Sequence, residues 1–139
     1  MLKKTMTYTD FNGVERTEDF YFHLTEAEIA DMELNEEGGL AAKIERIVNS
    51  KDTVQIKDYF QWFLLKSYGE KSEDGRRFMK TPELTQAFKE TQAYSDLWME
   101  MISDANAAST FIAGVVPKSV VKKAKEENPE AFKSVMAEA

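Results

Sequence analysis

The chain has 139 residues and a formal net charge of −7, with 42% hydrophobic and 31% charged residues. This length predicts one globular domain, and no apolar run approaches the ~18 residues that span a bilayer. The absence of cysteine excludes disulfides, thiol catalysis and cysteine-based zinc sites. Because His23 is the only histidine, catalysis by several imidazoles and a multi-histidine metal site are excluded as well.

The negative charge is concentrated in one segment. Residues 15–37 contain nine acidic residues and one basic residue. Such a segment repels phosphate backbones and anionic bilayers, so we expect neither a nucleic acid nor a membrane as partner. Two interpretations stay open: a solvated face that keeps the protein soluble, or a docking face for a basic partner, with Glu26, Asp31 and Glu33 as candidate partner-binding residues.

The first 22 residues predict a β-hairpin over residues 2–22, with Asn12 and Gly13 at the turn. A three-residue loop at 11–13 places Leu2 opposite Phe22 and leaves one face apolar and the other polar. In this register Lys4 lies opposite Phe20, and Gly13 takes the left-handed bulge position. A lone hairpin is only marginally stable, so we expect its apolar face to pack on helices.

Helical patterns follow the hairpin. Thr25 and Glu28 have the spacing of a capping box, and Thr81 with Pro82 is typical of a helix start. The predicted helices cover residues 26–34, 40–48, 53–68, a short stretch from 82, and two stripes, one from Tyr94 to Ala105 and one from Ala108 to Val115. The helix at 53–68 is apolar over most of its circumference, so we expect it to be the most buried and to end at Gly69. Residues 69–80 predict a polar loop.

These elements predict an α+β fold in which an N-terminal β-hairpin packs on a mostly α-helical bundle. We expect a single domain at residues 1–117, with helices within 26–116, and a C-terminal helical extension at 118–139. The predicted core consists of Phe20, Phe22, Ile44, Phe60, Phe63, Leu64, Leu97, Trp98 and Phe111. In the extension, Phe132, Val135 and Met136 are candidate partner-binding residues, since its short helices need something to dock on.

Motifs that carry chemistry are not found in the sequence. His23 and Glu26 lie across a predicted strand-to-helix junction, and Glu33, Glu36 and Glu37 lack the spacing of a calcium loop. No phosphate-binding glycine loop or nucleophile elbow occurs, and an anion clamp at residues 76–77 is the weaker interpretation of two exposed arginines. We therefore predict no catalytic residue, cofactor or metal, and a protein that acts by binding another protein.

Several short phrases together resemble a known family. They are TYTDFNGV at 7–14, EDFYF at 18–22, LTEAE at 24–28, GGL at 38–40, KSYGEKS at 66–72, ETQAYS at 90–95 and FIAGVVP at 111–117. Over about residues 1–117 the chain resembles the tail assembly chaperones of long-tailed phages and prophages of Gram-positive bacteria, whose tails do not contract.

The resemblance implies a non-catalytic function in the host cytoplasm. Such a chaperone binds the tape-measure protein, helps recruit tail-tube subunits to it, and is absent from the mature virion. Self-association is a further interaction that the sequence leaves open. The rival interpretation is a permanent virion structural protein, such as a tail-terminator or connector subunit.

Overall fold

The computed structural model describes residues 1–35 and 53–116. The strands in these ranges are β1 (Leu2–Thr9), β2 (Glu15–Phe22), β3 (Tyr68–Lys71) and β4 (Phe78–Met79). The helices are α1 (Glu26–Leu34), α2 (Thr53–Ser67), α3 (Pro82–Lys89), α4 (Gln92–Ser103) and α5 (Ala105–Val115). The α+β class and the N-terminal hairpin are confirmed. The predicted helix at 40–48, core residue Ile44 and the extension at 118–139 lie outside the described residues.

The hairpin has the predicted register. Leu2 lies opposite Phe22, Lys4 lies opposite Phe20, and Gly13 has a φ of 78°. The Asp10 carboxylate holds the turn, since it accepts hydrogen bonds from the backbone N–H groups of Asn12 and Val14, both at 2.9 Å. It also accepts a hydrogen bond from the Arg16 guanidinium at 2.7 Å, which lowers the pKa of the carboxyl group. The turn is therefore a fixed structure.

The predicted polar loop at residues 69–80 is wrong at its two ends, where residues 69–71 and 78–79 are in strands, and the turn is confined to the residues between them. The hairpin extends into a four-stranded antiparallel sheet of order β1-β2-β3-β4. Strand β3 pairs with β2 through Tyr21 opposite Gly69 and Phe22 opposite Tyr68, and β4 pairs with β3. Strand β3 has four residues, two of them charged, and β4 has only two residues, so neither carries a period-2 hydrophobic signal. Pairing with the long β2 strand orders β3, and pairing with β3 orders β4.

Two expectations for helix α2 are also wrong. The helix ends at Ser67, and Gly69 is a strand residue in β3 rather than a left-handed residue that terminates a helix. A Cβ at Gly69 would lie 2.7 Å from the Phe78 ring and 2.8 Å from the Met79 carbonyl oxygen. The glycine is thus required by close strand contact. Nor is α2 the most buried helix, because Val54 and Trp62 are 60% and 42% exposed.

Aromatic rings from the sheet and the helices form the centre of the core. Phe22 is fully buried, and its ring centroid lies 5.0 Å from that of Phe111 and 5.8 Å from that of Phe88. Phe88 in turn stacks on Tyr68 at 4.1 Å. Of the predicted core residues that are described, five are buried (Phe22, Phe63, Leu64, Leu97 and Phe111) and three are partly buried against them (Phe20, Phe60 and Trp98). Phe88, which was not predicted, is a central member.

Capping residues set the starts of four helices. The capping box of Thr25 and Glu28 is confirmed, and Thr81 caps α3 with Pro82 in its first turn. Thr91 caps α4. The Asp104 carboxylate caps α5 because it accepts hydrogen bonds from the backbone N–H groups of Asn106 and Ala107. This cap separates α4 from α5, so Ala105, predicted on the same stripe as Tyr94, begins a new helix.

Candidate interaction surfaces

The acidic residues predicted as partner-binding candidates lie on α1. Glu26, Asp31 and Glu33 are exposed, whereas Ile29 and Met32 of the same helix are buried in the core. The helix therefore presents carboxylates to solvent on a scaffold fixed by its apolar side. The other three candidates, Phe132, Val135 and Met136, lie outside the described residues.

An ion pair ties the start of α1 to the end of β4. The Lys80 ammonium donates hydrogen bonds to Glu28 at 2.7 Å and to the His23 carbonyl oxygen at 2.6 Å. Burial alone would raise the pKa of Glu28, but hydrogen bonds from Lys80 and from the Thr25 backbone bring that pKa below its usual value. Glu28 therefore holds the start of α1 against the end of β4.

His23 occupies a structural position at the end of β2. Its backbone N–H donates to the Ser67 carbonyl oxygen at 2.8 Å, and its ring lies edge-on to Phe78 with centroids 6.3 Å apart. Its Nδ1 atom is buried and has no hydrogen-bond partner within the described part of the chain. Partial burial lowers the pKa of His23, and the positive charge of Lys80 adds to this effect while Glu28 opposes it.

Acidification should therefore weaken the fold through His23. The unfolded chain takes up a proton near the ordinary value of 6.5, while the folded chain resists protonation until a lower pH, so stability falls as the pH drops through that value. Urea denaturation of the wild-type protein at about pH 7 and 5.5 should show this loss, and His23→Leu should show much less of it. An equal loss in both proteins would contradict the assignment, because His23 is the sole histidine.

No ligand site emerges around the other candidate groups. Among residues 1–35 and 53–116, no group of three or more acidic or histidine side chains could hold a metal ion. The backbones of Arg76 and Arg77 close the β3–β4 turn, with N–H groups donating to Asp74 and Ser72 at 3.1 and 3.0 Å. The described structure thus brings together no constellation of the kind that the sequence analysis considered for chemistry.

The tip of the hairpin is a candidate surface that the sequence analysis missed. Phe11 is 78% exposed and Val14 is 55% exposed, and both project from the turn that Asp10 holds. An aromatic side chain on a fixed turn loses little conformational entropy when a partner covers it. The sequence contained one indication of this surface, because Phe11 lies inside the predicted loop, where its side chain has no place in the core.

A second apolar feature lies where α4 and α5 meet the first residues of β1. A groove of about 340 Å³ is lined by Leu2, Lys3, Lys4, Glu100, Met101, Asn106, Ala107, Thr110 and Phe111. The Lys4 ammonium bonds the Glu100 carboxylate at 3.1 Å at this groove. On α4, Met99 and Ile102 are 55% and 52% exposed. Helix α4 thus carries two apolar side chains that are open to a partner.

Comparison with known proteins gives one match. A family model described as phage tail assembly chaperone matches residues 1–139. Comparison with curated proteins and with solved structures finds no match. None of the helices in the described ranges is long and apolar enough to cross a membrane.

Proposed function

Because the chain belongs to the phage tail assembly chaperone family, we propose that it binds the tape-measure protein and helps recruit tail-tube subunits to it. The family assignment implies a non-catalytic role. The chaperone acts in the host cell before the tail is complete and leaves before the virion is finished. The tails concerned are the long, non-contractile tails that the sequence phrases indicate.

One observation carries the physical side of this proposal: exposed apolar side chains and exposed acids occur on the same small fold. Val14, Met99 and Ile102 are each more than half exposed, and these can cover apolar helical segments of a partner. Glu26, Asp31 and Glu33 on α1 face solvent. Their negative charge makes the complexes repel one another, which limits aggregation.

The predicted extension at 118–139 adds a further contact in this proposal. Phe132, Val135 and Met136 have the spacing of one helix face, and a short amphipathic helix becomes stable when it docks on an apolar partner. We assign these three side chains to the contact with the tape-measure protein and the acids of α1 to the solvent-facing side.

The test is co-expression of the chain with a fragment of the tape-measure protein. We expect the fragment to be soluble and to co-purify with the chain, and to be insoluble alone. If the fragment is equally soluble in both cases and does not co-purify, the proposal is wrong.

A charge-matched pair of variants tests the role assigned to the acids. One variant carries Glu26→Gln, Asp31→Asn and Glu33→Gln, and its control carries Glu73→Gln, Glu83→Gln and Glu90→Gln, which are also exposed positions. If the acids of α1 face solvent in the complex, both variants should bind with the affinity of the wild-type chain. The solubility of the complex should then fall by the same amount in both. A loss of affinity confined to the α1 variant, with steep weakening of wild-type binding by salt, would instead show direct docking of these acids on a basic partner.

A further inference from the structure

Strand β1 is at the edge of the sheet, and no other strand among residues 1–35 and 53–116 pairs with its outer side. The Asp10 N–H bonds the Val14 carbonyl oxygen, and hydrogen-bonded pairs alternate from there along the hairpin. The backbone groups of Thr5, Thr7 and Thr9 therefore point away from β2. Among the described residues, no hydrogen bond reaches these outward groups. They form a row of donors and acceptors ready to pair with another strand.

The last five residues of this edge lack the features that usually prevent strand pairing, and the two lysines of β1, Lys3 and Lys4, precede them. Residues 5–9, TMTYT, contain no charge, proline or glycine, whereas the adjacent strand β2 carries Glu15 and Asp19 on its exposed face. Lysines, prolines and bulges are the common means of protecting an edge. The side chains are also held in place, because Thr7 shares a hydrogen bond of 2.9 Å with Thr17. An ordered, uncharged edge favours pairing over repulsion.

The two ends of β1 complement each other. Its first residues include Lys3 and Lys4 and border the groove beside α4 and α5. Its last residue leads into Asp10 and the exposed ring of Phe11. Since no β2 residue lines the groove, the groove lies toward the open edge. A second copy running antiparallel along this edge brings its end with the exposed Phe11 ring to the end of β1 that borders the groove.

We propose that two copies of the chain pair antiparallel through β1, about a two-fold axis that passes beside Thr7. Thr5 of each copy then lies opposite Thr9 of the other, and each such hydrogen-bonded pair exchanges two backbone hydrogen bonds. Lys4 lies opposite Asp10 of the second copy, and Phe11 of each copy enters the groove of the other. The interface is self-complementary, as a two-fold dimer requires.

The absence of cysteine allows a direct test on the purified chain, independent of any tape-measure partner. Thr7→Cys introduces one thiol in each copy. The Cα atoms of the two substituted residues are ~5.5 Å apart in the proposed dimer, within the ~4.4–6.8 Å range of disulfides. The control is Thr17→Cys. Thr17 lies opposite Thr7 on β2, so its copies would be separated by three strand spacings, ~14 Å.

Under mild oxidation, Thr7→Cys should convert mostly to a disulfide-linked dimer, and Thr17→Cys should stay monomeric. Equal cross-linking of the two variants, or none of Thr7→Cys, would overturn the proposal. Both substitutions are small and exposed, and each removes one hydroxyl of the same hydrogen-bonded pair. A difference between them therefore cannot come from a difference in folding.

Sedimentation of cysteine-free variants tests the aromatic contact. Phe11→Ala should raise the dimer dissociation constant by about tenfold or more, as loss of an aromatic side chain that fills a pocket on the partner does. Leu34→Ala removes a side chain that is 87% exposed at the end of α1 and should leave that constant unchanged. A wild-type chain that is monomeric at every concentration, or a dimer that Phe11→Ala leaves as tight as before, would overturn the proposal.

Discussion

Replacement of Phe22 by alanine should lower the free energy of unfolding by about 3–5 kcal/mol. The side chain is fully buried and meets the rings of Phe111, Phe88 and Tyr68 at centroid distances of 5.0, 5.8 and 5.9 Å. Its removal leaves a cavity among rings that come from the sheet and from separate helices, and these cannot all move inward. Urea denaturation monitored by circular dichroism measures the loss.

The control for this prediction is Met99→Ala. Met99 is 55% exposed on α4, so its truncation should change the free energy of unfolding by no more than about 0.5 kcal/mol. A loss below about 1 kcal/mol for Phe22→Ala would show that the aromatic cluster is not the centre of the core.

Gly69→Ala should lower the free energy of unfolding by about 1–3 kcal/mol. The new methyl group would lie 2.7 Å from the Phe78 ring and 2.8 Å from the Met79 carbonyl oxygen. The ring can turn, but the carbonyl belongs to the strand that pairs with β3. The added carbon therefore forces β3 and β4 apart, and thermal unfolding should report the loss.

Gly114→Ala is the matched control for the same substitution. The three atoms nearest to a Cβ at Gly114 all belong to the Leu2 side chain, with its Cδ1 at 3.0 Å, and that flexible end can move. Alanine also gains about 1 kcal/mol over glycine inside a helix, so stability should be kept or raised. If Gly69→Ala is as well tolerated as Gly114→Ala, the close approach of β3 and β4 is wrong.

The hairpin could be predicted because the residues that determine its register are close together in the sequence. Its two strands are joined by a three-residue loop, and only one register places Met6 and Tyr8 on the same face as Phe20 and Phe22. A shift by one residue would reverse every side chain. The helix starts were predictable for the same reason, since Thr25 and Thr81 act on backbone groups within three residues.

Strands β3 and β4 could not be predicted because their order comes from distant residues. Tyr68 and Gly69 pair with residues more than forty positions earlier in the chain, and neither strand has a hydrophobic alternation of its own. The Gly69 signal was also ambiguous, because a glycine after an apolar helix is typical of a helix end. Its true cause, contact with Phe78 and Met79, appears only when the sheet is assembled.

The candidate surfaces also differ in whether nearby or distant residues determine them. Exposure of Glu26, Asp31 and Glu33 followed from the helical period of α1, which turns Ile29 and Met32 toward the core. The exposed ring of Phe11 did not follow from any period, because turn residues have none. The groove beside β1 joins residues of β1 with residues of α4 and α5, which only the tertiary structure brings together.

The most direct measurement of the proposed function is quantitative mass spectrometry of tail-assembly intermediates and of finished phage particles. We expect the chain to be bound to the tape-measure protein in the intermediates and to be absent from the particles. Presence of the chain in finished particles at a fixed copy number, without association with the tape-measure protein before assembly, would contradict the proposal and identify a permanent virion subunit instead.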